Sequence, residues 1–310
     1  MKVIDLKHPD RTFALRECGL VLGNFDGLHR GHRALINELK RLNTKRRPRL
    51  PLGALCFSTP PSAHLGIAVP QLSTNEEKFA LMREAGLRFV VLLDFPEVMH
   101  LDPMDFVKDI LIRDCHCMMA VCGFNYTFGA KAAGKAEDLA NWLGTQPRRE
   151  VSIVPAVTDG RHTVSSSEIR RSLEQGHPED ATRMLGRPYV LTGKVLPGKS
   201  VGHTMGYPTA NLVFPKGALI PARGVYAVTV KIGRRTYLGI SNVGTRPTFD
   251  DGDSVTCETF LFDFSGNLYD RPLTVSFLRF LRPERAFPSL DALQAQIRED
   301  ILRTREFFNA

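Results

Sequence analysis

Two histidines that follow a glycine-rich turn are placed to act on a phosphate group. The apolar run 20–22 leads into residues 23–32, GNFDGLHRGH, after which a helical pattern begins. Such a strand, turn and helix start presents backbone N–H groups and the positive end of the helix dipole to an anion. His29 and His32 share one helix face and could donate hydrogen bonds to phosphate oxygens that gain charge during transfer. The alternative, a pair of surface histidines, is disfavoured because strand, glycines and pair coincide.

A serine-rich segment in the middle of the chain could supply a further phosphate contact. Residues 165–170 read SSSEIR, and Ser165 and Glu168 have the spacing of a capping box that opens a helix. The cap does not explain Arg170, which lies one turn into that helix. A guanidinium in this position can clamp phosphate oxygens in bidentate fashion.

A polar pair in the second half of the chain carries the oxygen atoms that Mg²⁺ prefers. In residues 206–211, GYPTAN, Thr209 and Asn211 would point to the same side of an extended segment. Their neutral oxygens suit an ion that keeps several waters and bridges phosphate groups. For an isolated Thr-x-Asn, however, a turn is the default interpretation.

Glu258 is the candidate general base of the same region. A hydroxyl that takes a phosphoryl group must lose its proton, and a nearby carboxylate could accept it. In the predicted strand 256–264, this residue shares a side with three aromatic residues, Phe260, Phe262 and Phe264. An unpaired carboxylate beside aromatic rings is costly unless it serves chemistry or a partner. The alternative is an edge-strand glutamate that faces water.

One segment matches a known phosphate-binding sequence pattern but lacks the helix that this pattern requires. Residues 193–200, GKVLPGKS, match the P-loop pattern G-x-x-x-x-G-K-[ST]. A P-loop needs a helix directly after its lysine, whereas residues 201–208 contain two glycines and a proline. We therefore interpret the segment as an extended loop.

The first half of the chain resembles bacterial FAD synthetases, which are nucleotidyltransferases. Residues 23–32 are similar to the signature G-x-F-D-G-x-H-x-G-H, and residues 165–170 to S-S-[ST]-x-I-R. The resemblance implies that Arg170 clamps the phosphates of ATP. It also implies that Asn125, in residues 123–129 (GFNYTFG), holds the isoalloxazine ring of the flavin. The ATP-binding residues implied in this way are Gly23, Asn24, Phe25, Ser165 and Ser166.

The second half resembles riboflavin kinases, whose pattern G-[FY]-P-T-A-N is matched by residues 206–211. The resemblance implies that Glu258 is the catalytic base. It also favours Mg²⁺ binding by Thr209 and Asn211 over a plain turn. It further implies ATP contacts at Gly198, Lys199 and Asn242. Other matching segments are residues 224–226 (GVY), 242–249 (NVGTRPTF) and 280–282 (FLR).

Two positions depart from these patterns. FAD synthetases commonly have T-F-x-P-H-P after the second strand, whereas residues 56–61 read CFSTPP, with Pro60 where the histidine would stand. In the kinase loop, His203 stands in place of the usual arginine. The first departure bears on FMN placement or the rate of adenylyl transfer, and the second on the strength of the ATP-phosphate contacts.

The two halves of the chain have different secondary-structure patterns, and these predicted elements must position the residues named above. Up to about residue 175, short apolar runs alternate with helical patterns, which favours a parallel sheet with crossover helices. The predicted strands are residues 19–22, 52–57, 89–93 and 118–122, and the helical patterns are residues 34–42, 76–85 and 106–112. The resemblance makes this an α/β Rossmann-like nucleotidyltransferase domain, for which we expect residues 1–183.

From about residue 188, strands separated by glycine-rich turns favour an antiparallel barrel or sandwich. Clear examples are residues 224–231, 236–239 and 254–264. The resemblance implies a six-stranded β-barrel in residues 184–310, closed by a C-terminal helix over residues 290–307. That helix would place five apolar residues on or near one face: Leu290, Leu293, Ile297, Ile301 and Phe308.

The composition and net charge indicate which kinds of ligand the chain binds. The 310 residues are 43% hydrophobic, enough for two cores, and a net charge of +8 favours anionic ligands. The basic run 40–49 follows a helical pattern without interleaved aromatics, so a solvated helix end is favoured over nucleic-acid binding. The longest apolar run, residues 89–93, is far too short to span a membrane.

The six cysteines show no disulfide framework, which favours reduced thiols and a cytoplasmic location. Cys115, His116, Cys117 and Cys122 form the densest group. Because this group lacks paired C-x₂-C spacing and runs into an apolar stretch, a core strand is favoured over a zinc site.

The resemblance covers nearly the whole chain and implies an enzyme that uses ATP twice. It would phosphorylate riboflavin to FMN, then adenylylate FMN to FAD and release pyrophosphate. One alternative is that a single domain is active, with the kinase favoured because of Pro60. Another is a flavin- or RNA-binding regulator that has kept the fold without catalysis. The sequence does not determine the oligomeric state.

Overall fold

The chain forms two compact units, Met1–Ser166 and Ser167–Ala310. The computed structural model describes residues 1–7, 16–160, 162–196, 207, 209–246 and 254–309. The first unit is a parallel sheet with helices and the second is a closed antiparallel barrel, so the predicted fold class is confirmed. Helices α7 (Ser166–Glu174) and α8 (Pro178–Leu185) fall almost wholly within the second unit, while the boundary at residues 183 and 184 stays a prediction. No helix in the described ranges is long and apolar enough to cross a membrane.

The first unit is built on a six-stranded parallel sheet with the order β1-β4-β3-β2-β5-β8. Its strands are β1 (Lys2–Asp5), β2 (Cys18–Leu22), β3 (Leu52–Phe57), β4 (Phe89–Leu93), β5 (Cys117–Gly123) and β8 (Glu150–Val154). A separate hairpin pairs β6 (Thr127–Phe128) with β7 (Gly134–Lys135). Every residue of β2 is buried, since this strand lies near the centre of the sheet with both faces covered.

Helices cover both faces of this sheet. They are α1 (Arg30–Thr44), α2 (Pro61–His64), α3 (Asn75–Glu84), α4 (Phe95–Val98), α5 (Pro103–Asp105), a π-helix (Phe106–Asp114) and α6 (Ala136–Leu143). Alternate residues of β2 serve two hydrophobic clusters: Leu20 and Leu22 pack in one, and Val21 in the other. The core strand predicted around Cys117 is confirmed as β5, and its cysteines are buried thiols.

The second unit is a barrel closed in the order β10-β13-β12-β11-β14-β9, with every neighbouring pair antiparallel. Its strands are β9 (Tyr189–Leu196), β10 (Thr209–Val213), β11 (Gly224–Ile232), β12 (Arg235–Arg246), β13 (Ser254–Leu261) and β14 (Pro272–Arg282). The six strands confirm the predicted barrel. Strand β13 ends before the predicted residue 264, and Asp263 beyond it has a positive φ of 57°.

The closing helix α9 (Leu290–Asn309) packs against the barrel through Ile297 and Ile301, as its apolar pattern predicts. Leu290, at the first helical position, is 64% exposed, so the apolar face is not buried at the start of the helix. The helix instead buries a polar stripe at every fourth residue, consisting of Gln296, Asp300 and Thr304. Asp300 anchors this stripe because its carboxylate accepts hydrogen bonds from Arg282 Nη2 at 2.8 Å and Gln296 Nε2 at 2.9 Å.

We predict that Asp300→Asn destabilises the chain by about 3 kcal/mol, because it leaves the largely buried guanidinium of Arg282 without its counter-charge. The matched control is Glu299→Gln, which removes an exposed ion pair with Arg303 on the same helix and is expected to cost less than about 0.5 kcal/mol. Urea unfolding of both variants measures the difference. Equal losses in the two variants would contradict a special role for the buried pair.

Candidate active sites

The predicted residues of the first unit follow three neighbouring strands at the same edge of the sheet. The histidine segment comes after β2, Pro60 comes after β3, and Asn125 comes after β5. Since β3, β2 and β5 are adjacent and parallel, their carboxyl ends meet at one edge. The chain leaves β2 for β3 on one side, while β5 lies on the other, which is the arrangement that opens a crevice for ligands.

The turn after β2 has a strained backbone. Phe25, Gly27 and Leu28 have φ angles of 58°, 76° and 38°, in the left-handed region that non-glycine residues seldom adopt. The side chains of Phe25 and Leu28 are fully buried, which holds the turn in place. The ring of Phe25 meets the ring of His32 edge to face, with 5.1 Å between centroids. The side chain of Phe25 therefore positions the ring of His32.

The two histidines lie at the start of α1 and stack on each other. Their ring centroids are 3.6 Å apart with an angle of 16° between planes. His29 is the N-cap, and its Nδ1 accepts the backbone N–H of His32 at 3.3 Å, so the proton of the neutral ring is on Nε2. A Cβ at Gly31 would lie 3.1 Å from the ring of His29, which explains the glycine between the histidines.

His32 is held in its neutral form. Burial lowers its pKa well below the ordinary value, and the neighbouring His29 and Lys78 lower it further. Within the described part of the chain, the buried atoms Asn24 Oδ1 and His32 Nδ1 have no hydrogen-bond partner. Buried polar atoms usually have one, so these two are suited to meet a ligand.

Asp26 stabilises the turn that carries the histidines. In the sequence it stands inside a glycine-rich turn and was not identified as a functional residue. Its buried carboxylate accepts the backbone N–H groups of Leu72 at 3.0 Å and Ser73 at 3.2 Å. Its backbone oxygen accepts the hydroxyl of Ser166 at 2.9 Å. The acidic residue thereby ties the histidine turn to the segment before α3 and to the serine motif.

The remaining predicted residues of the first half are located as follows. Ser165 precedes α7 and Ser166 begins it, both half-buried. Arg170 is half-buried on the same helix but belongs to the second unit, so its role beside the histidines stays a prediction. Asn125 is exposed in a turn closed by a hydrogen bond from Tyr126 N to Gly123 O. Pro60 is the N-cap of the short helix α2.

Three predicted residues of the second half lie in a row across adjacent strands of the barrel. Glu258 on β13 pairs in register with Asn211 on β10 at one side and with Asn242 on β12 at the other. Side chains directly opposite each other point to the same face of a sheet. Thr209, two residues before Asn211, shares this face. The register therefore brings all four residues together, although they are far apart in the sequence.

The row lies on the outer face of the barrel wall. The alternate residues point inward, where the hydroxyls of Ser241 and Thr259 form a hydrogen bond of 2.7 Å. On the outer face, the ring of Tyr207 meets that of Phe260 edge to face at 5.3 Å. Phe260, which pairs with Thr209, lines an apolar wall beside the polar row. Such a combination suits a ligand with a flat ring and a polar chain.

Other motif residues of the second half are structural or lie beyond the described ranges. Gly224 is required by packing, since a Cβ there would lie 2.5 Å from the backbone oxygen of Arg282. Tyr226 donates its hydroxyl proton to the backbone oxygen of Ala222. Residues 193–196 of the P-loop pattern belong to strand β9, which supports the rejection of a P-loop. Three predicted positions, Gly198, Lys199 and His203, lie outside the described residues.

Comparisons with known proteins match the two halves of the chain to two different families. A family model described as FAD synthetase matches residues 12–168, and one described as riboflavin kinase matches residues 185–308. A solved structure described as a macrolide-efflux protein from Streptococcus pneumoniae is 32% identical, with a TM-score of 0.89 over 98% of this chain and 99% of its own.

Curated relatives match along nearly their whole length. The chain is 34% identical to a bifunctional riboflavin kinase/FMN adenylyltransferase of Listeria monocytogenes, covering 99% of this chain and 98% of the relative. Proteins of the same name from Escherichia coli and Bacillus subtilis are 33% and 30% identical, over 94% and 100% of this chain and 93% and 99% of theirs. With both family models present in the same order, the chain belongs to the family of bifunctional riboflavin kinase/FMN adenylyltransferases.

Proposed function

We propose that the two steps of this family, riboflavin to FMN and FMN to FAD, take place at the two groups of residues described above. ATP is the co-substrate of both steps. The observation that supports the assignment is a group of chemically suited residues in each unit: the stacked histidines at the sheet edge of the first unit, and the row around Glu258 on the barrel of the second.

In the kinase step, Glu258 accepts the proton of the primary hydroxyl of riboflavin. The hydroxyl oxygen then forms a bond to the γ-phosphorus of ATP, and ADP leaves with the electrons of the broken P–O bond. The oxygens of Thr209 and Asn211, on the same face as Glu258, fit Mg²⁺, which would neutralise phosphate charge when bound. Asn242, with Gly198 and Lys199, would contact ATP.

In the adenylyl transfer, a phosphate oxygen of FMN attacks the α-phosphorus of ATP and pyrophosphate leaves. The Nε2–H of His29 and the ring of His32 would donate hydrogen bonds to the oxygens that gain charge, and Arg170 would clamp the phosphates. Asn125 would hold the flavin ring. The residues proposed to bind ATP are Gly23, Asn24, Phe25, Ser165 and Ser166.

Chromatography of flavins after incubation of the purified chain with riboflavin, ATP and Mg²⁺ tests both steps together. FMN followed by FAD supports the proposal. FMN without FAD would mean that only the kinase works and would direct attention to Pro60. Absence of conversion, with flavin still bound, would favour a regulator on the same fold. The cytoplasmic location predicted from the cysteines stays a prediction.

We predict that the double variant His29→Ala, His32→Ala lowers the rate of FAD formation from FMN by at least about 10³-fold, because donors to the reacting phosphate are lost. Riboflavin phosphorylation on the same chain should keep its rate and serves as the control for folding. Both rates are measured by flavin chromatography. An unchanged rate of FAD formation would remove the histidines from the proposed site.

We predict the reverse pattern for Glu258→Gln, because an amide cannot accept the hydroxyl proton. Riboflavin phosphorylation should fall about 10²- to 10⁴-fold while FAD formation from FMN continues. Glu299→Gln, on the exposed side of α9, is the matched control and should leave both rates unchanged. Full kinase turnover in Glu258→Gln would show that another group is the base.

We predict that Asn211→Ala raises the Mg²⁺ concentration for half-maximal kinase activity by about tenfold or more, since one oxygen ligand is lost. Removal of Mg²⁺ with a chelator should stop the kinase, and added Mg²⁺ should restore it. The Mg²⁺ dependence of FAD formation in the same variant is the control. A lower maximal rate with an unchanged Mg²⁺ dependence would contradict a ligand role.

A further inference from the structure

Four arginines line a cavity in the first unit. Its volume is about 410 Å³, which is within the range of about 300–1,000 Å³ that is typical of small-molecule sites. The charged residues of the lining are Arg46, Arg47, Arg148, Arg149, Glu17 and Glu150. With four guanidinium groups and two carboxylates, the lining has an excess of positive charge. An anionic ligand is therefore favoured.

The cavity lies at the edge of the sheet opposite to the histidines. Glu17 comes just before β2 and Arg149 just before β8, so both stand at the amino ends of these parallel strands. Arg46 and Arg47 follow the C-terminal end of α1, whereas the histidine pair lies at its start. The five residues of β2 separate the two edges by about 15 Å. A ligand in the cavity would therefore not touch the histidine pair.

Backbone oxygens hold two half-buried arginines of this cavity in place. Arg46 Nη2 donates to the backbone oxygens of Met118 at 3.2 Å and Arg148 at 2.8 Å. Arg149 Nη1 donates to the backbone oxygen of Cys117 at 2.8 Å and contacts Met118 Sδ at 3.2 Å. Each guanidinium uses one nitrogen for these bonds, and within the described ranges its other N–H groups have no protein acceptor. Because the planar group is fixed, these N–H groups are available to an anion in a set direction.

The positive charge of the cavity is only partly compensated. Among the described residues, Arg148 Nη2 lies 3.7 Å from Glu17 Oε2, and both side chains are exposed. An exposed pair of this kind contributes little. Arg46, Arg47 and Arg149 have no carboxylate partner in the described part of the chain. A phosphate group would supply the missing negative charge, and arginine can bind its oxygens in bidentate fashion.

The uncharged part of the lining indicates the size and kind of ligand. Pro48 and Leu50 line the same cavity and offer an apolar surface to a ring. None of the described lining residues is aromatic, whereas sites for single-stranded nucleic acid usually stack bases on aromatic side chains. The cavity therefore fits a small phosphorylated molecule better than a nucleic acid.

We propose that this cavity is a binding site for a phosphate group, either free or carried by a nucleotide, and that it is separate from both reactions. Arg46 and Arg149 donate to the phosphate oxygens, and the exposed Arg47 and Arg148 add positive charge. No bond of the ligand is made or broken there, because the cavity lies away from the reacting groups at the histidines.

Nuclear magnetic resonance of methionine methyl groups tests the site locally in the full chain. Met118 reports on the cavity because it contacts both fixed arginines, through its backbone oxygen and its sulfur. The variant Met118→Leu assigns its signal. Titration with ADP should shift this signal to saturation, whereas adenosine, which has no phosphate, should leave it unchanged.

The double variant Arg47→Gln, Arg148→Gln tests the charge of the cavity. Both side chains are exposed and their loss spares the bonds of Arg46 and Arg149, so the fold should be kept. We expect the half-saturating ADP concentration of the Met118 shift to rise at least about tenfold. The matched control is Arg113→Gln with Arg303→Gln, which removes two exposed arginines from other ion pairs and should change this concentration less than about twofold. Riboflavin phosphorylation and FAD formation should keep their rates in both double variants.

Inorganic phosphate distinguishes the two sources of the phosphate group. Saturation by ADP at a lower concentration would identify a nucleotide as the ligand, and equal concentrations would identify the free anion. A Met118 signal that neither anion shifts would overturn the proposal, as would an equal shift with adenosine or an unchanged half-saturation in Arg47→Gln, Arg148→Gln. Loss of FAD formation in that variant would contradict a site separate from the reactions.

Discussion

The buried carboxylate of Asp26 joins segments that are far apart in the sequence. It accepts backbone N–H groups from Leu72 and Ser73, while its own backbone oxygen accepts the hydroxyl of Ser166. Asp26 is only 4% exposed, so its carboxylate needs such donors, and amides in a fixed loop supply them without an opposing charge. The strained turn that presents the histidines depends on this brace, since its φ angles are unfavourable unless the surroundings impose them.

The two units build their candidate sites in different ways. At the sheet edge, loops that follow adjacent parallel strands converge, so the site depends on turns and caps. On the barrel, strand register alone places Asn211, Glu258 and Asn242 in a row, so the site depends on the wall remaining in register. The helix α9 packs on that outer face through Ile297 and Ile301 and is held by Asp300. A helix with a buried polar stripe can sit on the wall in one position only, because a shift would leave Asp300 unpaired.

Most of the fold was predictable because the strong patterns are local. Strands β3 and β4 have the predicted bounds, and α1 carries a clear apolar face. Strands β1 and β8 were missed, since both are short edge strands whose residues are largely half-buried or exposed. The row around Glu258 was predicted residue by residue, but the sequence could not show the register that aligns it. Asp26 was missed because its function arises from hydrogen bonds with Leu72 and Ser73, which are distant in the sequence.

The buried polar groups near the histidines differ in a way that separates structure from chemistry. Asp26 has donors from the protein itself, so its charge is compensated whether or not a ligand is bound. The buried Oδ1 of Asn24 has no hydrogen-bond partner among the described residues, so a ligand would have to supply its donor. A free protein with an unsatisfied buried polar atom gives up stability, and a ligand that bonds to the atom returns this stability as affinity. The same reasoning applies to the unpartnered Nδ1 of His32, which makes the start of α1 a part of this unit that depends on its ligand.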